Sequence, residues 1–297
     1  MRSYLKEIIF SIVAVLVMAL AIISFFKAMK RGQVNEREDI YRIIPEDVNA
    51  LLVVNRPGVF DRMILRNRPV FNAFASEVPV EFLSFIRQNS RLQLMVLSFH
   101  PQGVVCYLQA DSKLVRSLDE LLQRGDKTFS PVKQTKGGLD YYYYPFAENR
   151  FLGCFTHNGV WVGSFSRKLL ENTAGMIRKN ALSIPFEMNT LLRSFDSNAP
   201  LNIVFPTKGM GLEILQDNSV VWRIEDEWLG ADLFIGEDGF CSFGSLPYQP
   251  GISSALYQAM GDTIARKVNQ MYPQLLLSFQ IDKEEDLVYY TGCTPMP

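Results

Sequence analysis

The sequence predicts an α+β chain: an N-terminal transmembrane helix, then a mainly antiparallel-sheet globular region with interspersed helices. Three observations carry this. A 19-residue apolar run, Ile8 to Phe26, opens the chain. Short strand-like runs joined by tight turns fill most of the rest, with helical stretches between sets of strands. The order of strand, meander and helix occurs twice, which suggests a divergent duplication.

The opening run, IIFSIVAVLVMALAIISFF, is broken only by Ser11 and Ser24. As a helix it would be about 28 Å long, matching a hydrocarbon core of ~30 Å. A lone span must pair its own backbone groups, so helix is the form it takes in lipid. Arg2, Lys6 and Glu7 precede it; Lys27, Lys30 and Arg31 follow. Ala19-Leu20-Ala21 resembles a signal-peptide cleavage site, but the apolar run continues to Phe26, which favours an uncleaved anchor. The C-terminal flank carries more Lys and Arg, yet long domains translocate largely regardless of charge. The expectation is a short cytosolic tail and anchor over 1–33, with the large domain outside. A polar linker follows at 34–43, then two α+β halves at 44–182 and 183–297.

Composition excludes several classes. The chain is 48% hydrophobic and 21% charged, so it is not disordered. Of 30 basic and 31 acidic residues, 1–33 hold five and one, which leaves the body 25 and 30, near −5. A nucleic-acid partner is therefore not expected. The expected partners are the lipid bilayer, through residues 8–26, and an envelope protein.

Val48–Val54 reads as a buried strand, stopped by Asn55-Arg56-Pro57. The stretches 57–66 and 69–88 carry helical spacing. Leu92–Phe99 and Gly103–Gln109 form a hairpin over Pro101-Gln102. Leu114, Val115, Leu118, Leu121 and Leu122 stripe a helix that Gly125 ends. Strands follow near 139–145, 150–155 and 159–164, with Asn158-Gly159 as a two-residue turn. Ser166 caps the next helix. In the second half, helix 186–195 precedes strands near 201–205, 219–224, 228–235 and 239–246. A helix over 251–270 leads to final strands near 274–281 and 287–293.

Candidate sites are few. Tyr141 and Tyr143 share one face of a strand, Tyr142 and Tyr144 the other. The first pair could stack a sugar ring or a peptide, although tyrosines on a half-wet sheet commonly bury the ring and expose the hydroxyl. Glu225, Glu227 and Asp232, with Asp226, Glu237 and Asp238, form an acidic cluster that could hold Ca²⁺. No cation-binding loop surrounds it, and acids flanking turns and strand edges also discourage aggregation. No cofactor is expected: Gly209-Met210-Gly211 lacks the third glycine of a dinucleotide fingerprint, and no phosphate loop occurs. Any nucleophilic triad must use His100 or His157, the two histidines. Cys154 and His157 stand three apart on a strand, facing opposite ways. The even count of Cys106, Cys154, Cys241 and Cys293 permits disulfides outside the cytosol, but their apolar runs without paired spacing favour buried free thiols.

The layout resembles a family of uncharacterised single-pass membrane-anchored envelope proteins common in Bacteroidetes, built on a domain of unknown function. Carrying the resemblance are the anchor, the lead Ile44-Pro45-Glu46-Asp47 into a strand ending Val54-Asn55, the paired strands between Trp222 and Phe243, and Phe240–Gly244 followed by a helix bearing Gln258. The resemblance implies an inner-membrane protein with a periplasmic, duplicated α+β domain. It transfers no functional residue. Two functions follow as expectations: an envelope binding or scaffolding protein, or a membrane-tethered hydrolase or carbohydrate-acting enzyme. The scarcity of histidine favours the first.

Overall fold

The computed structural model describes residues 40–58, 78–79, 81–83, 85, 92–109, 112–125, 130–146, 149–179, 184–206, 212–216, 219–224, 228–235, 239–247, 253–271, 280–284 and 287–295. The expected anchor, with Ile8 and Phe26 at its ends, lies outside these residues. Among them no helix is long and apolar enough to cross a membrane.

A mixed-length, mainly antiparallel sheet with helices on both faces makes this an α+β fold. Fourteen strands are described. They are β1 (Ala50–Val54), β2 (Met95–His100), β3 (Gly103–Gln109), β4 (Val132–Lys136), β5 (Leu139–Phe146), β6 (Arg150–His157) and β7 (Val160–Ser164). Then come β8 (Leu201–Pro206), β9 (Leu212–Gln216), β10 (Ser219–Ile224), β11 (Trp228–Ile235), β12 (Gly239–Pro247), β13 (Gln280–Glu284) and β14 (Leu287–Pro295). The helices described from end to end are α1 (Ser112–Gly125), α2 (Arg167–Lys179), α3 (Phe186–Ser194) and α4 (Ser254–Met271).

Twelve strands form one sheet in the order β13-β14-β12-β11-β8-β1-β2-β3-β7-β6-β5-β4, while β9 and β10 form a separate hairpin. At the centre β1 pairs antiparallel with both β2 and β8. Outward from β1 run β2, β3, then β7, β6, β5 and β4; outward from β8 run β11, β12, then β14 and β13. On each side a helix, α1 or α4, follows the third strand, and the chain returns so that its last strand pairs with that third strand.

Alternation along the central strands builds two cores. Leu52, Val54, Leu97, Cys106 and Trp161 point to the face that carries Phe82, Phe85 and the α1 stripe Leu114, Leu118, Leu122. Leu51, Val53, Val96, Tyr107 and Val162 point to the opposite face, covered by Leu169 and Leu170 of α2, Met188 and Leu191 of α3, and Ile40 and Ile44. A sheet buried on both faces explains why β1 reads as a continuous apolar run and not as alternation. Each fully buried aliphatic side chain contributes about 1.5–3 kcal/mol.

Turn chemistry sets the register of the β4–β7 meander. Gly137 and Gly138 have φ of 59° and 80°, and Asn158 and Gly159 have φ of 46° and 80°. Two positive-φ residues are what a two-residue hairpin between right-twisted strands requires. Ser166 caps α2: its Oγ accepts the Leu169 amide at 3.4 Å.

Three expectations need correction. The segment 132–136, not expected as a strand, is β4. The 212–216 segment pairs as β9 with β10. Of the strand expected near 274–281, residues 274–279 lie outside the described residues, while Gln280 and Ile281 pair with Thr291 and Tyr290 in β13. Cys106 and Cys154 are buried free thiols as expected, but Cys241 is disulfide-bonded. Its cross-strand neighbour on β14 is Cys293.

Candidate functional site

The site grows from one cross-strand row. Val132 lies opposite Tyr143, Tyr143 opposite Gly153, and Gly153 opposite Ser164, so all four share the face covered by α2. Gly153 has no side chain, and the Tyr143 ring and Leu170 occupy the space above it. The row floors a cavity of about 630 Å³, walled by Phe151, Phe165, Leu170, Arg150 and Arg167. That volume falls in the range of small-ligand sites, about 300–1,000 Å³. Val132 and Phe151 are 62% and 53% exposed at its mouth.

Two arginines stand in the groove. Arg150 lies 4.9 Å from the Phe165 ring centroid and donates to Glu81 at 3.1 Å. Arg167, the first residue of α2, donates from Nε to Glu171 at 3.1 Å. The helix N-terminus adds partial positive charge in the same direction. Ser164 lies under the cavity but is not a nucleophile: its Oγ donates to the Val104 carbonyl at 2.7 Å and accepts the Ser166 amide at 3.1 Å.

The sequence-predicted Tyr141 and Tyr143 do share this face, stacked at 6.5 Å with 13° between planes. Their environments differ. Tyr141 is buried, packs edge-on against Phe155, and has its hydroxyl pKa raised by that burial. Tyr143 is half-buried and lines the groove. Behind Tyr141 lies a second cavity of about 270 Å³, bounded by Lys136, Leu139 and Arg178. Glu171 bridges the two cavities, bonded to Lys136 and to Arg167 at 3.1 Å each. These two cations hold its carboxyl below the usual range. Tyr142 and Tyr144 face the other way; Tyr144 is buried and donates to Asp119 at 2.8 Å.

Of the acidic cluster, Glu225 and Glu227 lie outside the described residues. Asp232 is described, and it stands inside the sheet on β11, not at a turn or an edge. Its Oδ1 accepts Asn202 Nδ2 at 2.6 Å and its Oδ2 accepts the Asp196 amide at 3.0 Å. Both oxygens thus face N–H donors, which is the surrounding of a structural acceptor. Burial raises its pKa against those two hydrogen bonds. Asn202 also accepts from Asn55 Nδ2, which donates to the Ala199 carbonyl as well, at 2.9 Å. This clasp ties β1, β8 and β11 together. Among the described residues no group of three His, Cys, Asp or Glu side chains could hold a metal ion.

Sequence reasoning missed one arrangement. His100 Nδ1 lies 3.0 Å from Asp47 Oδ1, and its Nε2 lies 2.8 Å from Ser98 Oγ. Ser98 in turn lies 3.4 Å from the Tyr107 hydroxyl, which is 3.5 Å from Thr173 Oγ1. The order acid, imidazole, hydroxyl is that of a nucleophilic triad. Ser98 is 0% exposed, however, and its i, i+2 spacing with His100 on β2 fixes both inside the sheet. The arrangement satisfies buried polar groups from Asp47 to α2. Burial lowers the His100 pKa, against the pull of Asp47. Cys154 and His157 do not converge: Cys154 is in the α1-side core, and His157 lines an 80 Å³ recess on the α2 side.

No family model matches this chain, and no curated protein matches it. Among solved structures, TP0453 in crystal form III superposes with a TM-score of 0.46 at 10% identity, over 86% of this chain and 93% of that one. Crystal form I of TP0453 gives 0.47 at 10% identity, over 86% and 92%.

Proposed function

We propose that this chain is a membrane-anchored, extracytoplasmic binding or scaffolding protein of the bacterial cell envelope. Its ligand site is the groove over Val132, Tyr143 and Gly153 beside the start of α2. The observation that carries the reading is the groove itself: about 630 Å³, apolar and aromatic in its floor, cationic at its wall and open at exposed Val132 and Phe151. The disulfide at Cys241 supports an oxidising compartment, and hence a domain on the periplasmic side of the inner membrane. The apolar run 8–26 supplies the anchor, as in the Bacteroidetes proteins the chain resembles. The matching strand order on the two sides of β1 and β8 supports a divergent duplication, with halves at 44–182 and 183–297.

The competing reading is a membrane-tethered hydrolase, favoured by the order Asp47, His100, Ser98. It requires the Ser98 hydroxyl to meet a substrate, and that hydroxyl sits in the sheet interior. The binding reading is the better supported.

The test has two arms. The full chain resists alkaline extraction from membranes, and its body is cut by protease added to spheroplasts; a body protected there overturns the topology. A photoreactive residue at Phe151 forms a defined adduct in cells that Val132→Glu abolishes, whereas one at Phe186, 78% exposed on α3, does not form it. The same adduct from both positions overturns the groove as the site.

A further inference from the structure

We infer that β4 takes up an extended peptide segment in which apolar and acidic residues alternate, adding a strand to the open end of the sheet. The inference rests on the groove being the binding site, and names what occupies it.

Among the described residues the sheet ends at β4, whose one strand neighbour is β5. All five β4 residues are exposed. An edge strand presents unpaired N–H and C=O groups along its outer side, and these can template a further strand. Five residues at about 3.3 Å each give a ladder of roughly 17 Å.

The position of the groove gives this edge a specificity that a bare edge lacks. Val132 and Gln134 both line the groove, because alternate β4 side chains point to the α2 face. A strand laid outside β4 repeats that alternation. Every second side chain then stands on the same face, at the mouth where Val132 and Phe151 are exposed. Apolar side chains at those positions cover both. The intervening side chains fall on the opposite face, beside Lys133.

Charge selects the rest of the segment. Lys133 stands on the face that receives the intervening side chains, while Lys136, Arg150, Arg167 and Arg178 ring the groove side, against Glu81, Asp140 and Glu171. This is a local cationic surplus on a body that is net acidic. Lys133 and Lys136 each hold one carboxylate, at 2.7 and 3.1 Å, and remain half-exposed with further donors on each ammonium. Lysines on an edge repel a second copy of the same edge and admit a strand that brings carboxylates. A self-paired β4 dimer is therefore disfavoured and an acidic strand favoured.

The test uses the full chain in lipid nanodiscs and a capped seven-residue peptide alternating valine with glutamate, titrated by calorimetry. Two further peptides carry N-methyl groups, one on the valines and one on the glutamates. Only alternate N–H groups of an added strand face β4. One methylated peptide therefore loses binding by at least roughly tenfold, and the other stays within about twofold of the parent. Lys133→Glu, on the face that receives the glutamates, weakens the parent by roughly tenfold. A peptide alternating valine with lysine does not bind. Equal binding of the two methylated peptides, or of the lysine peptide, overturns the inference. If no peptide binds while the Val132-dependent adduct at position 151 persists, strand addition falls and the groove stands. If both are absent, both fall.

Discussion

Tyr143 lies directly across the β5–β6 ladder from Gly153, and its ring closes over the glycine: a Cβ there would meet Tyr143 Cε1 at 2.9 Å and Leu170 Cδ1 at 2.5 Å. The glycine thus sets how low the tyrosine lies and how deep the groove is. Gly153→Ala should force both side chains upward at a cost of about 1–3 kcal/mol, the usual range for overpacking. Thermal unfolding reads the stability, and the yield of the position-151 adduct reads the groove. A variant as stable as the parent, with the same adduct, would show that the ring is not held down by contact with Gly153.

Asn55 and Asn202 are 147 residues apart in sequence and hydrogen-bonded in the buried clasp between β1 and β8. Asn202 is the hub, because it joins Asn55 to Asp232 and also donates to the Asp196 carbonyl at 3.3 Å. Asn202→Ala strands these partners in a buried setting, at a cost of about 1–3 kcal/mol. Asn198→Ala, exposed in the adjoining loop, should stay within about 0.5 kcal/mol. Urea denaturation of both variants checks the difference. Equal effects would mean that the clasp does not join the two sides of the sheet.

Most strands were legible because their turns and periods agree. The β6–β7 hairpin carries Asn158-Gly159, whose positive φ values are those its sequence predicts. β4 was not legible, because Val-Lys-Gln-Thr-Lys buries nothing and an edge strand leaves no hydrophobic signature. Its neighbour supplies the structure. In β13 too, pairing on β14 fixes the polar Gln280–Glu284, which no apolar pattern marks. The shared face of Tyr141 and Tyr143 follows from strand alternation alone. Arg150 and Arg167 come to the same groove only through the β6–β7 hairpin and the α2 cap, which no local pattern announces. The links Asn55–Asn202 and Asp47–His100 depend on knowing which strands adjoin, and that is a property of the topology.

Thiol chemistry separates the cysteines. Cys106 and Cys154 are buried, and burial pushes both thiols well above their ordinary pKa, so little reactive thiolate forms. Without reductant, iodoacetamide should label neither in the folded chain and both after unfolding. Cys241 should become labelled only after reduction, and peptide mapping of the non-reduced chain identifies its partner. Reduction should destabilise the fold by about 2–4 kcal/mol. Labelling of Cys241 without reductant, in protein taken directly from cells, would argue against an oxidising compartment.

His100 makes stability depend on pH with a definite sign. Its side chain is buried, with Asp47 half-exposed on one nitrogen and Ser98 on the other. Burial sets its folded pKa below the ordinary value of 6.5, so the folded chain holds it neutral where an unfolded chain would already bind a proton. Below about pH 6.5 the unfolded state therefore takes up more protons, and linkage makes stability fall as pH falls toward the folded pKa. Above that window the contribution is complete and flat. His100→Gln keeps a polar group at the position and removes the titration. Urea midpoints measured between pH 8 and pH 5 should decline for the parent and decline less for the variant. Parallel curves would mean that His100 titrates alike in the folded and unfolded chains, and that the relay from Asp47 to Thr173 does not exclude the proton.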